Sequence, residues 1–204
     1  MVALLALASP ALATPLPVED YAPYEPQTTC RTKALPGTTT LTRWINNTYR
    51  GGTARASLRA CSSGGTSEHK DGRAIDWTMS ATSRADRRTV NKFLNQLFVA
   101  DAEATPHALA RRMGVMYVIW NDRIWSSYRQ FAARDYLSSG CTSRSTCSRT
   151  LRHRDHVHIS VTRKAARGNL SYTHQREHVE AVTGAKRPET RDRRIARIVA
   201  GLTD

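Results

Sequence analysis

Residues 115–128 read VMYVIWNDRIWSSY, and this stretch decides the fold class. Six consecutive apolar residues, Val115 to Trp120, with β-branched and aromatic side chains among them, predict a strongly apolar strand. Asn121-Asp122 predicts a tight turn, and RIWSSY a returning strand, so the whole reads as a hairpin. Working outward, residues 107–113 predict a short helical turn that stops at Gly114. Before it, DRRTVNKFLNQLF (86–98) places Val90, Phe93, Leu94, Leu97 and Phe98 on one face of a core-facing helix. GRAIDW (72–77) follows a Gly/Ser loop and reads as a short strand, and HVHISV (156–161) as another with alternating faces. Short strands and helices without a repeating βα rhythm give the α+β class, with a small mixed or antiparallel sheet flanked by helices.

The chain has 204 residues, 40% hydrophobic and 24% charged, which suits one globular domain with extensions or two small domains. No stretch approaches the roughly 20 apolar residues of a membrane-spanning helix. The 31 Lys and Arg against 17 Asp and Glu give a net charge of +14. That charge favours polyanions, anionic wall polymer and nucleic acid alike, without choosing among them. Residues 1–13, MVALLALASPALA, close on Ala11-Leu12-Ala13, a pattern suited to signal-peptide cleavage, although the first Lys or Arg is Arg31. An apolar helix of the mature fold is the alternative. Residues 14–29 carry Pro15, Pro17, Pro23 and Pro26 and read as an extended linker. Apolar density falls after residue 163, which leaves 30–163 as the domain. Residues 164–204 form a basic tail, partly helical around Ile195, Ile198, Val199 and Leu202.

Cys30, Cys61, Cys141 and Cys147 form an even set, and in an exported chain that favours disulfides. The preferred pairing is Cys30–Cys61 with Cys141–Cys147, the second closing over the loop TSRST. A competing reading joins Cys141 and Cys147 to His153 and His156 in a structural zinc knuckle, at a cysteine spacing wider than such sites usually show. The expected location is extracellular or wall-associated, and the expected state a monomer.

Two segments carry chemistry. SEHKDGRAIDW (67–77) holds His69 and Asp76, and RHRDHVHIS (152–160) holds Asp155, His156 and His158. On a strand, positions 156 and 158 face the same side. Two imidazoles and one carboxylate make the three-ligand set of a catalytic zinc, whose fourth position takes a water with its pKa lowered to about 7. A carboxylate nearby serves as general base, and Asp155, three residues before His158, is the candidate. Taken singly, each of these residues reads as an ordinary surface or hydrogen-bonding group, and Gly72 as a turn residue. The conjunction of both segments favours the metal site.

Ser67, His69, Gly72, Ala74 and Asp76 match the SxHxxGxAxD signature, and the chain thereby resembles the zinc D-alanyl-D-alanine carboxypeptidases and their L-alanyl-D-glutamate endopeptidase relatives, which share a fold with hedgehog signalling domains. The resemblance covers residues 30–163 and is closer to a subgroup of small secreted actinobacterial and fungal proteins. It implies that His69, Asp76 and His158 bind Zn2+, that Asp155 is the base and that His156 stabilises the tetrahedral intermediate. It also implies a substrate in peptidoglycan stem peptides or other cell-wall material, with Ser67 and Arg59 on the substrate side. The chain departs from the relatives that trim peptidoglycan, which carry an upstream SxYRS-type stretch; here only Tyr49-Arg50 and Arg59 stand near that place. Trp120 and Trp125 are expected in the core, with the wall of the cleft as their other role. Two other readings stand beside the peptidase: a catalytically silent, zinc-containing wall-binding module, and a zinc-dependent nuclease or nucleic-acid binder, against which no specific nucleic-acid module is legible. His174 to His178 also fits an inverted HxxEH zinc pattern, but sits in the basic tail and reads as a charged helical face.

Overall fold

The computed structural model describes residues 18–170. The apolar run 1–13, the amphipathic stretch near Ile195 and the HxxEH pattern of His174–His178 lie outside the described residues. The elements run α1 (Pro36–Thr48), β1 (Ala54–Arg55), β2 (Ala74–Thr78), α2 (Arg84–Phe98), α3 (Ala108–Arg112), β3 (Val115–Trp120), β4 (Arg123–Ser126), β5 (Arg134–Asp135), β6 (His156–Val161) and α4 (Arg163–Ala166). The six strands form one sheet in the order β1-β2-β6-β3-β4-β5. Every pairing is antiparallel, which resolves the mixed-or-antiparallel expectation for an α+β fold.

The predicted hairpin forms around Asn121 and Asp122, both at positive φ (47° and 64°), which is the turn geometry that matches the twist of the flanking strands. Its second strand ends at Ser126 and gives way to a 3-10 turn over Ser127–Arg129. The predicted helix at 86–98 begins two residues earlier, because the Ser83 hydroxyl accepts from the Asp86 backbone N–H and caps it. The short helix at 108–112 stops before Gly114, whose φ is +59°. A Cβ there would lie 2.4 Å from Leu170, so the chain turns where only glycine fits.

Alternation divides the sheet. Ile75, Trp77, Val118, Trp120, Val157 and Ile159 join Leu41, Trp44 and Ile45 of α1 and Val90, Phe93 and Leu97 of α2 in the main core. Trp120 is a core residue, and Trp125 packs against this core, stacking on Phe98. On the other face, Tyr117 and Ile119 form a smaller cluster with Met116, which a register shift between Val115 and Tyr117 turns to that side. That face also carries Asp76, His156 and His158.

Residues 18–29 have no regular secondary structure, and they are docked on the domain as a strap. Asp71 accepts from the backbone N–H groups of Thr28 and Thr29. Buried Arg73 donates to the Glu25 carbonyl, the Val161 carbonyl and Asp71. Glu25 in turn accepts from the Arg163 backbone N–H. The folded unit therefore extends at both ends beyond 30–163, since α4 and Leu170 also enter the core. Cys30 pairs with Cys61 and Cys141 with Cys147. Both loop thiols are thus consumed, which removes the zinc-knuckle reading with His153 and His156. No helix among the described residues is long and apolar enough to cross a membrane.

Candidate metal centre

His69 lies in the turn before β2, Asp76 in the middle of β2, and His158 opposite Asp76 on β6. The turn is held by backbone bonds from Lys70 N to Ser67 O and from Arg73 N to Glu68 O. Gly72, at φ +69°, brings it against the segment leading into α1, where a Cβ would sit 2.9 Å from the Lys33 carbonyl. The glycine of the signature thus serves both turn and close approach. Buried Glu68 accepts from the Tyr117 hydroxyl at 2.6 Å, and buried Lys70 donates to the carbonyls of Cys61 and Gly64. Around His69, then, Glu68, Lys70 and Gly72 are structural.

Three donor atoms converge. His69 Nε2 lies 3.1 Å from His158 Nδ1 and 3.3 Å from Asp76 Oδ1, and His158 Nδ1 lies 3.3 Å from the same oxygen. Donors bound to one tetrahedral ion at the usual 2.0–2.2 Å stand about 3.3–3.6 Å apart, so the triangle, at or just inside the short end of that range, suits a single small cation. His69, Asp76 and His158 are the group among the described residues able to hold a metal ion. The imidazole nitrogens that do not face the centre are held from behind. His69 Nδ1 is 2.9 Å from the Ser57 carbonyl, and His158 Nε2 is 2.8 Å from the buried Ser160 hydroxyl. Such partners fix ring orientation and tautomer, leaving one lone pair of each ring for the cation. Burial pushes the Asp76 carboxyl up, but the imidazoles of His158 and His69 beside it outweigh that effect and hold the group ionised.

His156 stands beside the triangle, its Nε2 3.7 Å from Asp76 Oδ1. Its Nδ1 bonds Asp155 Oδ1 at 2.7 Å, and Asp155 Oδ2 accepts from the Thr150 hydroxyl at 2.6 Å. Asp155 therefore reaches the centre through His156. Its carboxyl is lowered because these hydrogen bonds exceed the opposing effect of burial. His153, at φ +49°, packs its ring 4.7 Å from His156 and 5.6 Å from His158, with its Nδ1 buried and without a partner among the described residues. Burial first, then the charges of His158 and His156, push its pKa down to about 3 and keep the ring neutral. Ser67 and Arg59 make no hydrogen bond or ion pair to these groups. Ser67 bonds Gln27 through its backbone N–H, and Arg59 is exposed on the loop after β1.

Sequence reasoning missed Ser57, Ser160 and His153 as parts of the site. Ser160 had a legible signal, since it follows His158 by two residues on a strand and so shares its face. Ser57 had none, being a serine in a loop between Ala56 and Leu58.

Residues 30–145, more than half of the chain, match the family described as "VldE, C-terminal domain". Residues 164–204 match the description "Bacteriocin-protection, YdeI or OmpD-Associated", almost entirely outside the described residues. No curated protein and no solved structure matches the chain.

Proposed function

The chain belongs to the VldE C-terminal-domain family, and we propose that this member is a secreted zinc peptidase acting on the stem peptides of peptidoglycan. The observation that carries the reading is the near-equilateral triangle of His69 Nε2, Asp76 Oδ1 and His158 Nδ1, with an ionisable pair at its edge. Three protein donors leave a position for water, as hydrolytic zinc sites require and closed structural sites do not. The signature shared with the D-alanyl-D-alanine carboxypeptidase and endopeptidase group supports the peptide substrate, and the two disulfides suit an extracellular protein.

Zinc at this triangle supplies Lewis-acid polarisation of a carbonyl and a water acidic enough to ionise near neutral pH. The chain's own residues handle the proton. Asp155 Oδ1 accepts from His156 Nδ1, so the Nε2 lone pair faces the centre and takes a proton there. The same nitrogen returns it to the leaving amine, while Asp155 stabilises the imidazolium. The base of the reaction is thus the Asp155–His156 pair, with Thr150 fixing the carboxylate from outside.

The test combines elemental analysis of protein prepared under oxidising conditions with hydrolysis of purified muropeptides. One zinc per chain and released amino acid or dipeptide, with turnover lost and metal retained in Asp155→Ala, supports the proposal. Stoichiometric zinc with intact muropeptides, and with wall binding unaffected by Asp155→Ala, points instead to the silent binding module. Cleavage of DNA that follows the bound metal points to the nuclease reading.

A further inference from the structure

We infer that Ser57 is the residue that keeps the metal centre a three-donor site, by holding Asp76 to a single ligating oxygen and His69 to its Nε2. The inference rests on the metal reading above. Ser57 contacts both ligands from one position. Its carbonyl lies 2.9 Å from His69 Nδ1, and its hydroxyl lies 2.8 Å from Asp76 Oδ2. The Nδ1–H has the carbonyl as its acceptor, so the hydroxyl, whose oxygen lies 3.2 Å from the same nitrogen, is free to donate its proton to the carboxylate.

Each bond removes one alternative. A proton fixed on Nδ1 leaves His69 with its lone pair on Nε2, the atom in the triangle. A carboxylate ligates a cation through one oxygen or two, and the choice between those modes changes the coordination number. With Oδ2 accepting a hydrogen bond from Ser57, Asp76 presents Oδ1 alone, and a further position stays open for water. The backbone makes this placement rigid. Arg55 pairs with Asp76 across β1 and β2, and Ser57 N–H donates back to the Arg55 carbonyl at 2.9 Å. The strand pairing that sets Asp76 therefore also sets Ser57.

Ser57 is a positioning residue, and metal titration tests it without reference to turnover. Wild-type protein, Ser57→Ala and Ser57→Thr are each titrated with Zn2+ against a chelator and with Co2+ followed by its visible absorption, which is strong in four-coordinate sites and weak in five- or six-coordinate ones. The Ala variant keeps the carbonyl and loses the hydroxyl, so the expected result is Zn2+ binding weakened by about 10-fold or more. Its Co2+ band falls in intensity as Asp76 engages both oxygens, and the Thr variant restores affinity and band. Melting of each variant in the presence of chelator verifies that it is folded. Wild-type affinity and an unchanged Co2+ band in Ser57→Ala overturn the inference while leaving the metal reading in place. Absence of bound metal in the wild-type protein overturns the metal reading itself.

Discussion

Arg152 grips Asp122 through two hydrogen bonds of 2.8 Å, one from Nε and one from a terminal nitrogen, one to each carboxylate oxygen. This pair ties the loop bearing His153 and Asp155 to the turn between β3 and β4. Backbone bonds from Asn121 N to His153 O and from Asp122 N to Arg152 O complete the joint. The proposed base is therefore placed by a contact on the far side of its own loop.

That joint carries a pH dependence. Hydrogen bonding to Arg152 holds the Asp122 carboxyl below its ordinary value. A group depressed in the folded state stabilises it fully above the unfolded value of about 3.9 and loses that contribution as pH falls through the folded one. Wild-type melting temperature should thus fall more steeply below pH 4 than that of Asp122→Asn. At neutral pH, Arg152→Ala should lower the midpoint of denaturant unfolding, because the loop then loses both charge-assisted hydrogen bonds to the turn.

Metal removal should be visible as a loss of stability. A cation bound by the folded chain alone stabilises by about 2.7 kcal/mol at a hundredfold excess over its Kd. Chelator should lower the melting temperature of the wild-type protein and leave that of His158→Ala unchanged. Ser160→Ala leaves buried His158 Nε2 without its acceptor, and should both destabilise the fold by about 1–3 kcal/mol and weaken zinc binding.

Release of the strap should follow from one substitution. Arg73 is 1% exposed and bonds Asp71 and the Glu25 carbonyl together. Arg73→Met removes the closer ion-pair partner of the buried Asp71 carboxylate, leaving Arg163 at 3.7 Å, and should cost up to about 3 kcal/mol. Limited proteolysis should then cut within residues 18–29 before the rest of the domain, whereas the wild-type strap resists.

The disulfides should contribute unequally. Cys30 and Cys61 are 31 residues apart and Cys141 and Cys147 are 6 apart. Loop-closure entropy gives about 3.7 kcal/mol for the first and about 2.4 kcal/mol for the second. Paired Ser variants, compared by denaturant unfolding, should rank in that order.

What could be read from the sequence followed local rules. The hairpin at 115–128, the helix near 86–98 and the α+β class came from apolar spacing and turn residues, and the ligand triangle from a pair of motifs. Helix α1 escaped because PGTTTLTRWINNT is rich in β-branched threonine and lacks a side-chain cap. Its stability comes from Leu41, Trp44 and Ile45 packing on the sheet, a tertiary effect. The docking of the strap was not legible, since its partners Asp71, Arg73 and Arg163 lie about 40 to 140 residues away. Asp155 was placed near the site by its spacing from His158, yet its route through His156 depends on side-chain directions that spacing does not carry.

The pairing of Asp76 with His158 has a consequence for how the protein matures. The two residues are 82 positions apart and meet on neighbouring strands whose side chains alternate faces. A slip of β6 against β2 by one residue would turn His158 into the hydrophobic core and bring Val157 or Ile159 to the outer face. A cation bound at the triangle would thus act as a proofreader of strand registry: a chain whose central strands had closed wrongly would present no complete binding triangle, and metal uptake would mark the molecules that had closed correctly.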